Sequence, residues 1–141
     1  MPHTRILVHA VWATQSRKKL LVTKHRRQLF QHIREYAASQ NIHLLEINGF
    51  TDHVHCLISM SPVQSIAKIM QLLKGESSHW ANKELVFPEK LSWQSDYFAV
   101  SVSESHFERV RAYIRNQEVH HAQKTFEQEY KEFVARYEFE G

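Results

Sequence analysis

The alternation of apolar and polar residues along the chain predicts four strands, and apolar residues at helical spacing predict four helices. The first, second and fourth strands are expected at residues 5–14, 42–50 and 97–103. The third strand is expected to follow a turn at residues 49–52 and to end before Pro62. The helices are expected at residues 23–39, 65–83, 105–121 and 126–137. The order β-α-β-β-α-β-α-α predicts an α+β fold, a ferredoxin-like (split βαβ) antiparallel sheet with helices on one face.

Polar residues mark the expected starts of two helices. Thr23 is expected to be the N-cap of the first helix, and Ser105 with Glu108 has the spacing of a capping box. Gly75 is an unfavourable residue inside the second helix, where it costs up to about 1 kcal/mol relative to alanine.

The third predicted strand carries two histidines on one face. His53 and His55 are separated by one residue, and side chains on a strand alternate between its faces, so both imidazoles emerge together. Val54, Cys56 and Ile58 then point to the other face, into the core. Two neutral imidazoles about 7 Å apart along a strand can share one divalent cation, which needs a further ligand.

Composition indicates one globular domain, residues 1–141. The hydrophobic content of 43% and the charged content of 23% are ordinary values for globular proteins. The single cysteine, Cys56, excludes an internal disulfide framework and suits a reducing compartment. No segment approaches the roughly 20 apolar residues of a membrane span, and no signal peptide precedes the first strand. We therefore expect a soluble cytoplasmic protein without a membrane partner.

Charge is unevenly distributed along the chain. The formal net charge is +3, but residues 1–117 carry 15 Lys and Arg against 9 Asp and Glu, whereas the remaining residues carry 3 against 6. A basic body with an acidic tail favours a polyanionic partner over a neutral metabolite. The candidate contacts to such a partner are Arg17, Lys18, Lys19, Arg26 and Arg115.

The helix predicted at residues 105–121 carries a polar stripe beside its apolar one. Tyr113, Gln117 and His121 are spaced four residues apart, so they lie on successive turns of one face. A phenol can attack phosphorus, because its phenoxide is also a reasonable leaving group when the step reverses. The amide oxygen of Gln117 could complete a metal site begun by the two imidazoles. Neither His120 nor His121 is expected to be a metal ligand.

These motifs, taken in order, resemble those of the single-tyrosine HUH transposases of the smallest bacterial insertion sequences. The His-Val-His motif alone is common, whereas the ordered combination over most of the chain is highly specific. The matching segments are His9-Ala10-Val11-Trp12, Asp52-His53-Val54-His55, Leu73-Lys74-Gly75-Glu76-Ser77-Ser78, Phe98-Ala99-Val100-Ser101-Val102-Ser103, Tyr113-Ile114-Arg115-Asn116-Gln117-Glu118-Val119-His120-His121 and Phe126-Glu127-Gln128-Glu129-Tyr130.

The resemblance implies an enzyme that binds imperfect hairpins in single-stranded DNA and cuts nearby. His53 and His55 would bind a divalent ion, Mg²⁺ or Mn²⁺, with Gln117 as the third ligand. Tyr113, on a C-terminal helix, would attack phosphorus, leaving a 5′-phosphotyrosine link and a free 3′-hydroxyl that later rejoins strands. The resemblance also implies a homodimer in which the tyrosine helix of one subunit completes the histidine site of the other.

Two further function classes remain open at this point. One is a host-retained protein that binds hairpins without cutting them, and the other is a metal-dependent phosphoesterase in which water attacks instead of Tyr113. His53 and His55 could also be structural strand residues. Asp52 is expected either to shape the turn before them or to accept a hydrogen bond from an imidazole.

Overall fold

A computed structural model describes residues 2–85, 87–121 and 124–136. Its elements are, in chain order, β1 (Ile6–Ala13), α1 (Thr23–Ser39), β2 (His43–Gly49), β3 (His53–Met60), α2 (Ile66–Glu84), β4 (Phe98–Val102), α3 (Phe107–Arg115), α4 (Gln117–His121) and α5 (Phe126–Arg136). The predicted order is confirmed, except that α3 and α4 stand where one helix was expected. Tyr137, the expected end of the last helix, lies outside the described residues. None of the described helices is long and apolar enough to cross a membrane.

The four strands form one antiparallel sheet in the order β2-β3-β1-β4. Each crossover helix connects two strands that have a third strand between them: α1 leads from β1 to β2, and α2 leads from β3 to β4. This is the ferredoxin-like arrangement, so the predicted fold class is confirmed. β1 and β3 are the two inner strands, and each is hydrogen-bonded on both edges.

The crossover helices α1 and α2 cover one face of the sheet and bury its apolar side chains. Val54, Cys56 and Ile58 of β3 belong to this core, as the alternation predicted. The surrounding core residues from β1 and the two helices are Ala10, Trp12, Leu29, Phe30, Ile33, Ala37, Ile69, Met70 and Leu73.

The prediction of helices on one face holds for α1 and α2, whereas the C-terminal helices cover the opposite face. There α3 contacts β2 and β3, and α4 contacts β2. Phe126, at the start of α5, packs against Val11 and Ala13 of β1. The physical reason is that this second face also carries apolar side chains, which are stabilised by removal from water. The face of the sheet that carries His53 and His55 is therefore covered by α3, α4 and α5.

The expected helix starts differ from those in the structure. Thr23 is the first residue of α1 and makes no capping bond. Ser105 lies in a short 3-10 turn, where its Oγ is 3.2 Å from His106 Nδ1, so the capping box with Glu108 is absent. The long helix expected at residues 105–121 breaks at Asn116, whose φ and ψ of −98° and 23° depart from helical values.

Two glycines provide a matched test of this packing. A Cβ at Gly49, the last residue of β2, would overlap the carbonyl oxygen of His53, whereas Gly75 on α2 has open space beside its Cα. We expect Gly49→Ala to lower the free energy of unfolding by about 1–3 kcal/mol, because backbone must shift to admit the methyl group. Gly75→Ala should raise it by up to about 1 kcal/mol. Urea denaturation measures both changes, and effects of the same sign would contradict the described packing.

Candidate metal centre and active site

β3 places His53 and His55 side by side on the face that the C-terminal helices cover. Both side chains are fully buried, and their ring centroids are 5.1 Å apart. The strand is hydrogen-bonded to β1 on one edge and to β2 on the other, so its position is fixed from both sides. The structure therefore has both imidazoles on one face, as the alternation predicted.

A second side chain orients each of these imidazoles. Asp52 Oδ1 lies 2.8 Å from His53 Nδ1, so Asp52 takes the orienting position that the sequence left open for it. His9 Nε2, on the neighbouring β1, lies 2.8 Å from His55 Nδ1. Engaging Nδ1 in this way leaves Nε2 of each ring directed toward the helices, as in protein metal sites.

The tyrosine helix reaches the histidine pair in the same chain. The ring centroid of Tyr113 on α3 lies 5.6 Å from that of His55. Gln117, the first residue of α4, is fully buried, and its Oε1 lies 3.1 Å from His53 Nε2. The same side chain donates from Nε2 to the backbone oxygen of Tyr113 at 3.3 Å. The structure thus brings together all four residues that the sequence analysis selected for the chemistry.

Two further side chains belong to this cluster, Glu129, which the sequence did not select, and His121, which was expected not to be a metal ligand. Glu129 on α5 lies 2.6 Å from His55 Nε2 through Oε1 and 2.8 Å from His121 Nε2 through Oε2. One potential ligand atom from each of His53, His55, His121 and Glu129 lies within 4.8 Å of the others. The available sequence signal was an acidic residue between Phe126 and Tyr130, within the apolar stripe of a short amphipathic helix.

Burial keeps two of the imidazoles neutral. Burial and the neighbouring His55 lower the pKa of His9 to about 3. Burial also lowers the pKa of His55 to about 4, although Glu129 opposes this shift. Near neutral pH both rings are uncharged, and neutral imidazole is the form that binds metal ions.

Tyr113 is held as a neutral phenol beside a carboxylate. Burial, together with the charge of Glu129, raises the pKa of Tyr113 above its usual value. Burial alone would raise the pKa of Glu129 too, but contacts with His121 and His55 hold that pKa below its usual range. The Tyr113 hydroxyl lies 3.4 Å from Nε2 of His120, whose own pKa is lowered by burial. His120 is therefore an uncharged imidazole within reach of the phenol, and its Nε2 also lies 3.2 Å from Glu129 Oε2.

Ion pairs to one carboxylate fix the tyrosine helix on the sheet. Arg111 Nε and Arg115 Nε, on α3, lie 3.0 and 2.9 Å from Oε2 of Glu46 on β2. Asn48 Nδ2 donates to the backbone oxygen of Arg115 at 3.0 Å. The Glu46 side chain is only 10% exposed, so these partners replace most of the water around its carboxylate. Arg115, a predicted DNA contact, therefore already has a structural partner.

Arg26 is buried, so the surface position expected for this candidate is wrong. Its guanidinium donates to the backbone oxygen of Leu21 and to Oε1 of Glu118, each at 2.8 Å. The side chain is 3% exposed. The Arg26 side chain links α1 to Glu118 of α4, so it is not available to bind DNA. Its position in the sequence alone could not show this.

The other basic candidates lie on an exposed loop beside α5. The guanidinium of Arg17 covers the rings of Phe126 and Tyr130, with its carbon 5.5 and 4.9 Å from their centroids. Lys18 pairs with a surface glutamate at 3.0 Å, and Lys19 is exposed. Exposed pairs of this kind are weak, so both ammonium groups remain available to a polyanion.

A groove of about 810 Å³ opens beside Tyr113, between β4 and the C-terminal helices. Cationic and imidazole side chains line it, namely His106, Arg109, His120, Lys124 and Arg136. Its inner end reaches His9 and Glu129, so the groove leads from the surface to the histidine cluster. Glu132 also lines the groove, where it pairs with Lys124, so Arg109 and Arg136 are the cations left to meet an anionic chain.

A comparison with known families assigns the chain to one of them. The family model described as "Transposase IS200 like" matches residues 3–117, which include both histidines, Tyr113 and Gln117. The chain therefore belongs to the IS200-like transposase family. The match ends at Gln117, so His121 and Glu129 lie beyond it.

Individual relatives are consistent with that assignment. The chain is 29% identical to the ISDra2 transposase TnpA of Deinococcus radiodurans over 116 residues, which cover 77% of this chain and 81% of the relative. It is 25% identical to the transposase for insertion sequence element IS200 of Salmonella typhimurium over 124 residues, which cover 83% and 81% of the two chains.

Solved structures show the same fold. A crystal structure described as that of a transposase from Deinococcus radiodurans superposes with a TM-score of 0.62 at 25% identity, covering 82% of this chain and 93% of the other. A REP-associated tyrosine transposase bound to a REP hairpin superposes with a TM-score of 0.64, covering 86% and 74% of the two chains. At 14% identity, this second likeness concerns the fold alone.

Proposed function

We propose that this transposase cuts and rejoins single-stranded DNA through a covalent bond between Tyr113 and a 5′-phosphate. The observation that carries the proposal is the position of Tyr113, whose ring lies beside His55 and lines a groove that Arg109 and Arg136 also line. A tyrosine transposase of the same fold was solved bound to a REP hairpin, and we propose hairpin-bearing single-stranded DNA as the substrate class here. The single free cysteine, buried in the core, is compatible with action in the reducing cytoplasm.

The histidine pair fits a divalent metal ion. His53 and His55 are buried, each has its Nδ1 engaged by an orienting side chain, and the Gln117 carbonyl lies near His53 Nε2. We propose these three residues as ligands of Mg²⁺ or Mn²⁺. When bound there, such an ion would polarise a phosphate oxygen and make the phosphorus more electrophilic.

The covalent step requires the protein to remove the proton of the Tyr113 hydroxyl. It must also hold the Tyr113 oxygen in line with the bond from phosphorus to the leaving 3′-oxygen. In the proposed step the Tyr113 oxygen bonds to phosphorus, the bond from phosphorus to the 3′-oxygen breaks, and the DNA leaves with a free 3′-hydroxyl. The phenol proton passes to His120 Nε2, which lies 3.4 Å from the hydroxyl, and the departing 3′-oxygen takes up a proton from solvent. Attack of a 3′-hydroxyl on the phosphotyrosine reverses these changes and rejoins a strand.

We propose that DNA reaches this site along the cationic groove and the basic loop. Lys18 and Lys19 are exposed, and Arg109 and Arg136 line the groove that ends at Tyr113. Arg17 and Arg115 are further candidates, although each also contacts the protein, through α5 and Glu46 respectively. Contacts of this type give affinity through phosphates rather than through base sequence.

The covalent intermediate provides the direct test. Tyr113→Phe should fold and bind DNA normally but lower cleavage by at least about 1,000-fold, because the nucleophile is missing. Wild-type protein, incubated with Mg²⁺ or Mn²⁺ and single-stranded oligonucleotides covering palindromes that flank its gene, should form an adduct on a denaturing gel. Mass spectrometry should map it to Tyr113.

Tyr36→Phe, on α1 under the opposite face, is the matched control and should leave the adduct unchanged. Normal cleavage by Tyr113→Phe would transfer the chemistry to water and make the protein a phosphoesterase. Hairpin binding without any cleavage or adduct by the wild-type protein would favour the non-catalytic alternative.

Substrate binding should depend on exposed lysines and on salt. Removing Lys18 and Lys19 together should reduce the slope of log affinity against log salt by about 1–2, because fewer counterions are released. Replacing Lys68 and Lys83 of α2 removes the same charge from the opposite face and should change little. Fluorescence anisotropy with hairpin-bearing single strands measures this effect. Equal affinity for fully paired duplex would argue against the proposed substrate.

Assembly of the site within one chain can also be tested. The family resemblance leads us to propose a homodimer, but Tyr113 already contacts the histidine site of its own chain, so an exchanged helix is not needed to build it. A mixture of Tyr113→Phe and His53→Ala subunits should therefore remain inactive even where heterodimers form. Recovery of cleavage in the mixture would instead show that the tyrosine acts on the partner's histidines. Native mass spectrometry would establish that the heterodimers were present.

A further inference from the structure

We infer that His53, His55, His121 and Glu129 together form a four-ligand site for a first-row transition-metal ion of the zinc class. Ligand atoms from the four residues lie within 4.8 Å of one another. The site extends the metal centre of the proposed function and rests on it only in sharing His53 and His55. Its two additional ligands come from α4 and α5, outside the segment that matches the family.

The shape of the cluster indicates a common centre. The side chains of all four residues are at most 2% exposed. Glu129 Oε2 and His121 Nε2 are 2.8 Å apart, yet their orientation does not satisfy the angles of a hydrogen bond. Both carboxylate oxygens of Glu129 are buried, and neither meets the geometric criteria of a hydrogen bond. Ligand atoms directed at a shared point, rather than at each other, explain this arrangement.

The other nitrogen of each imidazole is already engaged. His53 Nδ1 meets Asp52 Oδ1, and His55 Nδ1 meets His9 Nε2, both at 2.8 Å. His121 Nδ1 donates to the backbone oxygen of Lys124 at 2.6 Å. Each of the three rings therefore has one partner at Nδ1 that fixes its orientation and its tautomer. Histidine ligands of metal ions usually have such a partner on the nitrogen that does not bind the metal.

The donor atoms determine which metal fits. Three imidazole nitrogens and one carboxylate oxygen match the ligands that Zn²⁺, Co²⁺ and related ions prefer, in tetrahedral geometry. Mg²⁺ prefers oxygen ligands in an octahedral arrangement and keeps several waters, so the four ligands acting together favour an ion of the zinc class over Mg²⁺. A tetrahedral ion held by all four residues has no position left for a phosphate oxygen. The zinc-class form is therefore closed to substrate until Glu129 withdraws.

Cobalt spectroscopy tests this site without using catalysis. Chelator-treated protein titrated with Co²⁺ should develop the intense visible absorption of four-coordinate cobalt, and Zn²⁺ should displace it stoichiometrically. Mg²⁺ in large excess should not. Glu129→Gln and His121→Ala should each weaken Zn²⁺ binding, measured by competition with a chromophoric chelator, by at least about 10-fold. Glu127→Gln, an exposed glutamate of α5, and His79→Ala, an exposed histidine of α2, are the matched controls and should bind as wild type.

Two results would overturn the inference. The first is unchanged Zn²⁺ affinity in Glu129→Gln and His121→Ala, and the second is the weak absorption of six-coordinate cobalt in wild-type protein. Circular dichroism establishes that the variants are folded. Should Glu129→Gln unfold, Glu129→Asp retains the carboxylate on a shorter stem and must shift the cobalt bands. Cleavage assays are separate: loss of the DNA adduct with a normal cobalt spectrum would contradict only the proposed function.

Discussion

The burial of both faces of β3 is the constraint on which the site depends. One face packs under α1 and α2 through Val54 and its neighbours, and the other lies under the C-terminal helices. The two histidines are therefore removed from water, and every ring nitrogen needs a partner that burial permits. That requirement is met by Asp52 beside His53 and by His9 and Glu129 beside His55. These neighbours would therefore be needed for stability even without a catalytic role. A buried and rigidly oriented pair of imidazoles is also a good starting point for a metal site.

The fold was predictable because each of its decisive signals is local. Alternation located the four strands, helical spacing located the crossover helices, and the order of elements implied the sheet. The errors occurred where tertiary contacts decide. Ser105 caps nothing because its hydroxyl is engaged in a 3-10 turn, and the break at Asn116 lets Gln117 turn inward to His53. Arg26 looks like any helical arginine in sequence, but its position under α4 buries it.

The candidate site divides in the same way. Two segments carry the residues that were predicted. The spacing of two places His53 and His55 on one face of a strand, and the spacing of four places Tyr113 and Gln117 on one face of a helix. The structure brings the two segments together. Glu129 belongs to the short helix α5, whose placement depends on the packing of Phe126 against β1, so no periodicity could join it to the histidine pair. His121 lies on the predicted stripe of Tyr113 and Gln117, but that stripe alone did not indicate a metal ligand. His120 acquires its relation to the phenol only through the turn at Asn116. Sequence reasoning is effective within one element and weak between elements that meet in space.

The central position of β3 also limits how this protein can evolve. Substitutions along the strand alter one contact at a time, and many of them can be accommodated. A single inserted or deleted residue between Asp52 and Ile58 would exchange the two faces, sending the imidazoles into the hydrocarbon core and Val54 and Cys56 into the cleft. The pairing with β1 and β2 on both sides opposes such a shift. Descendants of this chain should therefore differ in loop and tail lengths while this strand keeps its length.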